Sequence, residues 1–135
     1  MRLRALAHLA SMRPTESAAS ALVRERFATL RLLHTAALAS GVAGPLLLVA
    51  DPRCDVGRAV AAANGVSDPS DVCLFTANEA SFLASFATST PEKVTAMRRA
   101  VAALPVASED AMRVVVFTGG NMTFLPYTLT ASKAA

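Results

Sequence analysis

Three runs of apolar residues in the second part of the chain have the length of β-strands. Leu46 to Ala50 is unbroken, Arg113 to Phe117 contains three consecutive valines, and Val72 to Phe75 is a shorter run. Strands that are apolar at successive positions are buried on both faces, as in a parallel sheet covered by helices. The pattern therefore predicts three strands in the interior of an α/β domain.

The segment after the first of these strands is predicted to be a helix. Asp51 is suited to cap its start, and Pro52 fits the first helical turn, where no amide hydrogen is needed. Asn64–Gly65 predicts its end, because glycine readily takes the left-handed conformation found there. Between these limits one face carries the apolar residues Val56, Val60 and Ala63.

Two more helices are predicted before the third strand. Thr76 to Glu79 matches a capping box, in which a hydroxyl and a carboxylate each accept a hydrogen bond from a free backbone amide. This helix is predicted to bury Phe82, Leu83 and Phe86. The next one begins at Thr90–Pro91–Glu92 and ends before Pro105, with apolar residues at helical spacing at Val94, Met97, Val101 and Leu104.

The end of the sequence has the pattern of a hairpin. Thr118 to Asn121 includes two consecutive glycines and predicts a turn, after which Met122 to Thr130 returns as a fourth strand. Pro126 has no amide hydrogen to donate, so this strand is placed at an edge of the sheet or at a bulge. The order α-β-α-β-α-α-β-β predicts a small three-layer α/β domain with mostly parallel core strands and a C-terminal antiparallel hairpin, either thioredoxin-like or doubly wound.

The first forty residues form a segment of different composition. They contain six arginines, no lysine and two acids, for a net charge of +4, whereas residues 41–135 carry a net charge of −1. After Pro14, Thr15 is predicted to cap a helix with an apolar face at Val23, Phe27, Leu30, Ala37 and Leu38. We therefore divide the chain into an N-terminal segment, 1–40, and a single α/β domain, 41–135.

Two interpretations of residues 1–40 remain open. Basic character supplied by arginine alone, with few acids, is typical of a mitochondrial targeting segment, which is the interpretation that we favour. The alternative is an ordinary amphipathic helix that packs on its own domain, in a protein that stays in the cytoplasm. Either way, an RNA or another anionic partner would be contacted by the arginines of this segment, which are Arg2, Arg4, Arg13, Arg24, Arg26 and Arg31.

Leu32 to Ala50 raises the question of a membrane span. This stretch has no formal charge and is long enough for a helix that crosses a bilayer. Gly41, Gly44 and Pro45 interrupt it, however, and Leu46 to Ala50 fits a strand better. Membrane contact is therefore the less favoured expectation.

In an open parallel sheet, ligands bind beyond the carboxyl ends of the strands. The polar residues at these positions are Asp51, Cys54, Thr76, Asn78, Thr118, Gly119, Gly120 and Asn121. Most of them also have an ordinary task as a cap or in a turn, and we expect the structural role to be the main one.

Cys54 is the one candidate catalytic residue. It is predicted in the first turn of a helix and beside Arg53, a position that favours a thiolate and that matches the nucleophile of thioredoxin-like proteins. The second cysteine of a redox pair is missing, and Asp55 opposes thiolate formation, so thiol chemistry is the minority hypothesis. Cys73 is expected in the apolar core.

No other motif in the sequence indicates chemistry. No glycine-rich phosphate loop follows a strand, and the two histidines, His8 and His34, both lie in the first forty residues. We predict no cofactor and no metal site.

The remaining features favour an assembly subunit. Twenty-nine alanines and a mean hydropathy of +0.43 describe an apolar domain that would profit from partner surfaces. We therefore expect a non-catalytic subunit of a large mitochondrial assembly, first of all the mitochondrial ribosome, that contacts other subunits and rRNA. The alternatives are an accessory subunit of a respiratory-chain or ATP synthase complex and a small thioredoxin-like thiol protein that uses Cys54.

Overall fold

The structure is a computed structural model that describes residues 14–128, with side chains from residue 18 onward. Within this range the chain forms five helices and four strands. In chain order these are α1 (Pro14–Glu25), α2 (Phe27–Ala39), β1 (Leu46–Ala50), α3 (Asp55–Ala63), β2 (Cys73–Ala77), α4 (Glu79–Ala84), α5 (Pro91–Ala102), β3 (Ala111–Thr118) and β4 (Asn121–Thr128).

The four strands form one mixed sheet in the order β2-β1-β3-β4. The two central strands are parallel, with Leu47 opposite Val114 and Ala50 opposite Phe117. Both outer strands are antiparallel to their neighbours, β2 to β1 and β4 to β3. The predicted α/β class is confirmed, and the sheet is mixed.

The prediction of mostly parallel core strands is wrong for the pair β1 and β2. Ala50, the last residue of β1, lies opposite Cys73, the first residue of β2. The chain therefore re-enters the sheet at the same end at which β1 finishes. The nine-residue helix α3 leads away from that end, and residues 64–72 lead back to it. The apolar run of β1 showed burial on both faces, which does not require a parallel neighbour on each side.

Helices cover both faces of the sheet, as the three-layer prediction requires. Helices α1 and α2 lie on one face, where the core contains Ala19, Leu22, Val23, Leu30, Leu47, Val49, Met112, Val114 and Val116. The other helices lie on the opposite face, where Leu46, Leu48, Phe82, Val101, Val115 and Phe117 are buried. Successive residues of β1 and β3 therefore contribute to different cores, which explains their unbroken apolar pattern.

The predicted N-terminal helix is two helices separated by Arg26. This residue has φ −110° and ψ 12°, outside the helical range, while its amide still bonds to the carbonyls of Leu22 and Val23 at 3.1 and 3.2 Å. The bend directs apolar residues of both helices onto the sheet. Residues 14–39 thus supply one whole layer of the domain.

Two helices begin later than the sequence predicts. Helix α3 begins at Asp55 and is capped by Cys54, not by Asp51. Helix α4 begins at Glu79 and is capped by Asn78, whose side chain accepts a hydrogen bond from the amide of Ser81 at 2.7 Å, whereas Thr76 lies within β2. Thr76 is unavailable as a cap because it pairs with Leu47 in the sheet, and Asn78 is the stronger capping residue of the two. The Asp51 side chain does not cap α3 because it accepts hydrogen bonds from Arg53 and Thr118.

The first helix begins at Pro14, so Thr15 lies within it and is not its cap, and β2 extends two residues past the predicted end at Phe75. Other boundaries agree with the sequence pattern. Helix α5 begins at Pro91 with Thr90 as its cap, and α3 ends at Ala63 with Gly65 at φ 93°. Gly119 and Gly120 have φ values of 61° and 81°, as a two-residue hairpin turn requires. Pro126 lies in β4, which is an edge strand as predicted.

The stretch from Leu32 to Ala50 is divided between the end of α2, a turn and β1. Across the part of the chain that the structure describes, none of the helices has the length and apolar character needed to cross a bilayer.

Candidate functional site

The parallel pair β1 and β3 brings Asp51 and Thr118 together at the carboxyl ends of the two central strands. The Thr118 hydroxyl donates a hydrogen bond of 2.9 Å to the Asp51 carboxylate, and both residues are buried. Thr76 and Asn78 lie at the opposite end of the strands, because β2 runs antiparallel to β1 and Ala77 pairs with Leu46. The predicted polar cluster is therefore split into two groups.

The Asp51 carboxylate accepts hydrogen bonds from two neighbouring residues. Its side chain is 3% exposed and accepts bonds from the backbone amide of Arg53 at 2.9 Å and from the Arg53 guanidinium at 2.9 to 3.2 Å. Thr118 supplies the third donor. Since Arg53 is 76% exposed, one member of this ion pair is buried and the other lies in solvent.

This arrangement keeps the Asp51 carboxyl ionised. Hydrogen bonds from the Arg53 side chain hold its pKa below the ordinary value of 3.8, against the opposing effect of burial, and Thr118 contributes in the same direction. The same pairing raises the pKa of Arg53 above its ordinary value. A carboxylate in this state is a poor proton donor or acceptor near neutral pH, so the geometry favours a structural role.

Cys54 is the N-cap of α3. Its sulfur accepts a hydrogen bond from the amide of Gly57 at 3.3 Å, and its thiol donates toward the carbonyl oxygens of Asp51 and Phe117 at 3.4 and 3.7 Å. Arg53, which the sequence places beside this thiol, is engaged by Asp51 instead. Cys54 is partly exposed. Cys73, which was expected in the apolar core, is the first residue of β2 and is also partly exposed.

Gly57 allows α3 to approach the end of β1. A Cβ atom at this position would lie 1.9 Å from the carbonyl oxygen of Asp51, a distance that no side chain tolerates. Because Gly57 has no side chain, the turn formed by Asp51 to Cys54 can pack directly against α3. This role is not predictable from the sequence, because glycine within a helix usually signals only a weaker helix.

A polar cleft of about 220 Å³ lies next to Asp51, between α1 and the start of β2. Arg26 crosses it and forms an ion pair of 2.9 Å with Asp71. Glu25 also lines the cleft, so its acidic side chains outnumber its two arginines, Arg26 and Arg53. This balance of charge does not favour an anion.

The arginines predicted to contact RNA fall into three groups. Arg24 and Arg31 are exposed on the outer layer formed by α1 and α2. Arg26 is partly buried in its ion pair with Asp71. Arg2, Arg4 and Arg13 lie outside the residues that the structure describes, as does His8.

Two buried polar side chains, Arg113 and His34, have roles that the sequence did not predict. Arg113 on β3 donates to the carbonyl of Gly44 and lies 3.5 Å from the Glu79 carboxylate, while its Nε has no hydrogen-bond partner. His34 on α2 is 1% exposed and forms a hydrogen bond of 2.6 Å between Nε2 and the Ser108 carbonyl. No local motif distinguishes either residue, because each acquires its partner only through the tertiary fold.

No centre for metal binding is evident between residues 14 and 128, where no three His, Cys, Asp or Glu side chains cluster. Comparisons with known protein families, with curated proteins and with solved structures found no match to this chain.

Proposed function

We propose that this chain is a non-catalytic subunit of a large mitochondrial assembly, and specifically of the mitochondrial ribosome. The observation that carries the proposal is the orientation of the N-terminal arginines. The apolar faces of α1 and α2 pack against the sheet, while Arg24 and Arg31 are exposed on the outer side. Arginines fixed on an outer helical layer suit a polyanion such as rRNA.

The chemistry at the strand ends supports a binding role rather than a catalytic one. The Asp51 carboxylate is held by Arg53 and Thr118, and the Cys54 sulfur caps α3. These polar groups stabilise the carboxyl ends of the central strands, which is where an open α/β fold usually has its catalytic centre. Mitochondrial localisation rests on the arginine-rich composition of residues 1–40.

Sedimentation of the full-length tagged chain from fractionated cells tests this proposal. We expect the chain in the mitochondrial fraction, sedimenting with rRNA and released as salt is raised, because phosphate contacts weaken with ionic strength. The double variant Arg24→Glu/Arg31→Glu should leave the rRNA fractions, whereas the control Arg98→Glu/Arg99→Glu, on the opposite layer, should remain.

Other distributions would contradict the proposal. Sedimentation apart from rRNA even at low salt concentration overturns the ribosomal assignment. Retention in washed membranes would favour the accessory subunit of a respiratory-chain or ATP synthase complex. A full-length chain found outside mitochondria would point to a cytoplasmic binding domain.

A thioredoxin-like thiol protein is the second candidate. Its support is the position of Cys54 at the N-cap of α3, in the turn that follows β1, together with its partial exposure. Under this hypothesis iodoacetamide should modify Cys54 faster than an ordinary exposed thiol at neutral pH. An ordinary rate, with full function in Cys54→Ser, would exclude this candidate.

A further inference from the structure

An apolar groove lies between α5 and the edge strand β4, away from the polar cleft. It has a volume of about 560 Å³, and its walls include Val56, Phe86, Met97, Met122, Phe124 and Lys93. Lys93 is the one charged side chain among the lining residues. The groove is therefore an apolar surface with a single positive charge.

The aromatic wall of this groove is held in place by the core. The rings of Phe86 and Phe124 both meet the buried ring of Phe82 edge-on, at centroid distances of 5.3 and 6.2 Å. Met97 is 8% exposed, and with Met122 it adds flexible side chains that adapt to a partner's shape. A preformed wall lowers the entropy lost on binding.

Charge selects among the possible occupants. The chain's own residues 1–13 contain three arginines and no acid, so they carry the same sign as Lys93. An apolar segment with a carboxylate has the opposite sign and places its charge against the ammonium group.

We infer that this groove is the docking site for an apolar, acidic segment of a neighbouring subunit, in which a carboxylate pairs with Lys93. The inference rests on the proposed function, because such a segment belongs to an assembly. Apolar side chains of the partner fill the space beside Met97 and Phe124. The carboxylate fixes the orientation of the segment along α5.

A photo-crosslinking amino acid at position 96, placed in the full-length chain in intact cells, tests the occupant directly. Ala96 lines the groove and is exposed, whereas Ala102 is exposed on the same helix and does not line it. We expect a crosslink from position 96, but not from 102, to a peptide of another subunit with apolar residues and an Asp or Glu. A crosslink to lipid, to a second copy of this chain, to a peptide without an acid or to nothing overturns the inference.

Variants then test the charge and the space. Lys93→Glu should lower this crosslink about tenfold through like-charge repulsion, and reversing the partner's carboxylate to Lys should restore it. Arg98→Glu, a matched reversal outside the groove, should have little effect. Filling the groove with Ala96→Trp should displace the chain from the assembly, and Ala102→Trp should not.

Sedimentation separates failure of the groove from failure of the proposed function. A chain that sediments with rRNA equally well as Lys93→Glu, Ala96→Trp and wild type contradicts the groove and leaves the ribosomal assignment intact. A wild-type chain that never sediments with rRNA contradicts the ribosomal assignment, and the crosslink from position 96 then decides the groove alone.

Discussion

The Thr118 hydroxyl donates a 2.9 Å hydrogen bond to the Asp51 carboxylate across 67 residues of sequence. It joins the ends of the two parallel central strands, and Arg53 completes the set of donors. The bond ties the turn before α3 to the turn before β4. Asp51 and Thr118, which the sequence placed at a possible ligand site, thus stabilise the centre of the fold.

Asp51→Asn should destabilise the protein by about 2 kcal/mol at neutral pH, because it removes a buried charge that is held by hydrogen bonds. The pKa of Asp51 is lower in the folded chain than its ordinary value of 3.8, so its contribution is present above that value. The contribution is lost as pH falls through the lower folded pKa. The stability difference from wild type should therefore shrink below about pH 4, as measured by urea unfolding.

The control for this change is Asp55→Asn, which removes an exposed carboxylate paired with Arg58 on the surface of α3. Its effect should stay within about 0.5 kcal/mol. Equal losses for the two variants would show that Asp51 is no more than a surface ion pair.

Gly57→Ala should cost about 3 kcal/mol or more, because the new methyl group collides with the backbone of Asp51, which has little room to move. Gly41→Ala is a useful contrast, since Gly41 has open space around it but a φ of 82°. That variant should lose only about 1 kcal/mol, from backbone strain. Thermal unfolding compares the two, and similar losses would mean that the Asp51 turn yields easily.

Cys54→Ala should lower stability by about 1 kcal/mol through loss of the N-cap of α3, while Cys54→Ser should stay near wild type because serine is a strong cap. Chemical denaturation of both variants measures this difference. If alanine and serine are equally tolerated, the sulfur contributes nothing to the helix start.

Arg113→Ala should cost about 3 kcal/mol, since it leaves the Gly44 carbonyl without its donor and empties a buried position. Glu79→Gln should change stability by less than about 0.5 kcal/mol, because Glu79 is 51% exposed and 3.5 Å from Arg113. Urea unfolding tests both. A large effect of Glu79→Gln would instead identify the ion pair as the main partner of Arg113.

The sequence predicted those parts of the fold that depend on local patterns. The valines of β3, the two glycines before β4 and Thr90–Pro91 before α5 each specify an element through side-chain burial or backbone preference. The direction of β2 was not predictable in this way. It depends on where residues 64–72 lead the chain, and their composition indicates a loop without indicating its path.

The candidate site was predictable in identity but not in geometry. Asp51 and Thr118 each follow an apolar strand, and their meeting required only that β1 and β3 be parallel neighbours. The hydrogen bonds from Arg53 and the close approach of Gly57 depend on interatomic distances that no spacing rule supplies. His34 shows the same limitation, since its partner Ser108 is distant in sequence.

The parallel pairing of β1 with β3 also has a consequence for how the chain acquires its structure during synthesis. The strand β1 lies at the centre of the sheet, yet its parallel neighbour β3 begins 61 residues after β1 ends, at Ala111. Contacts between distant segments form slowly, because the loop between them must first be closed. The apolar residues of β1 therefore remain without their central neighbour until residues 111–118 have been translated, and over that interval they are exposed to aggregation.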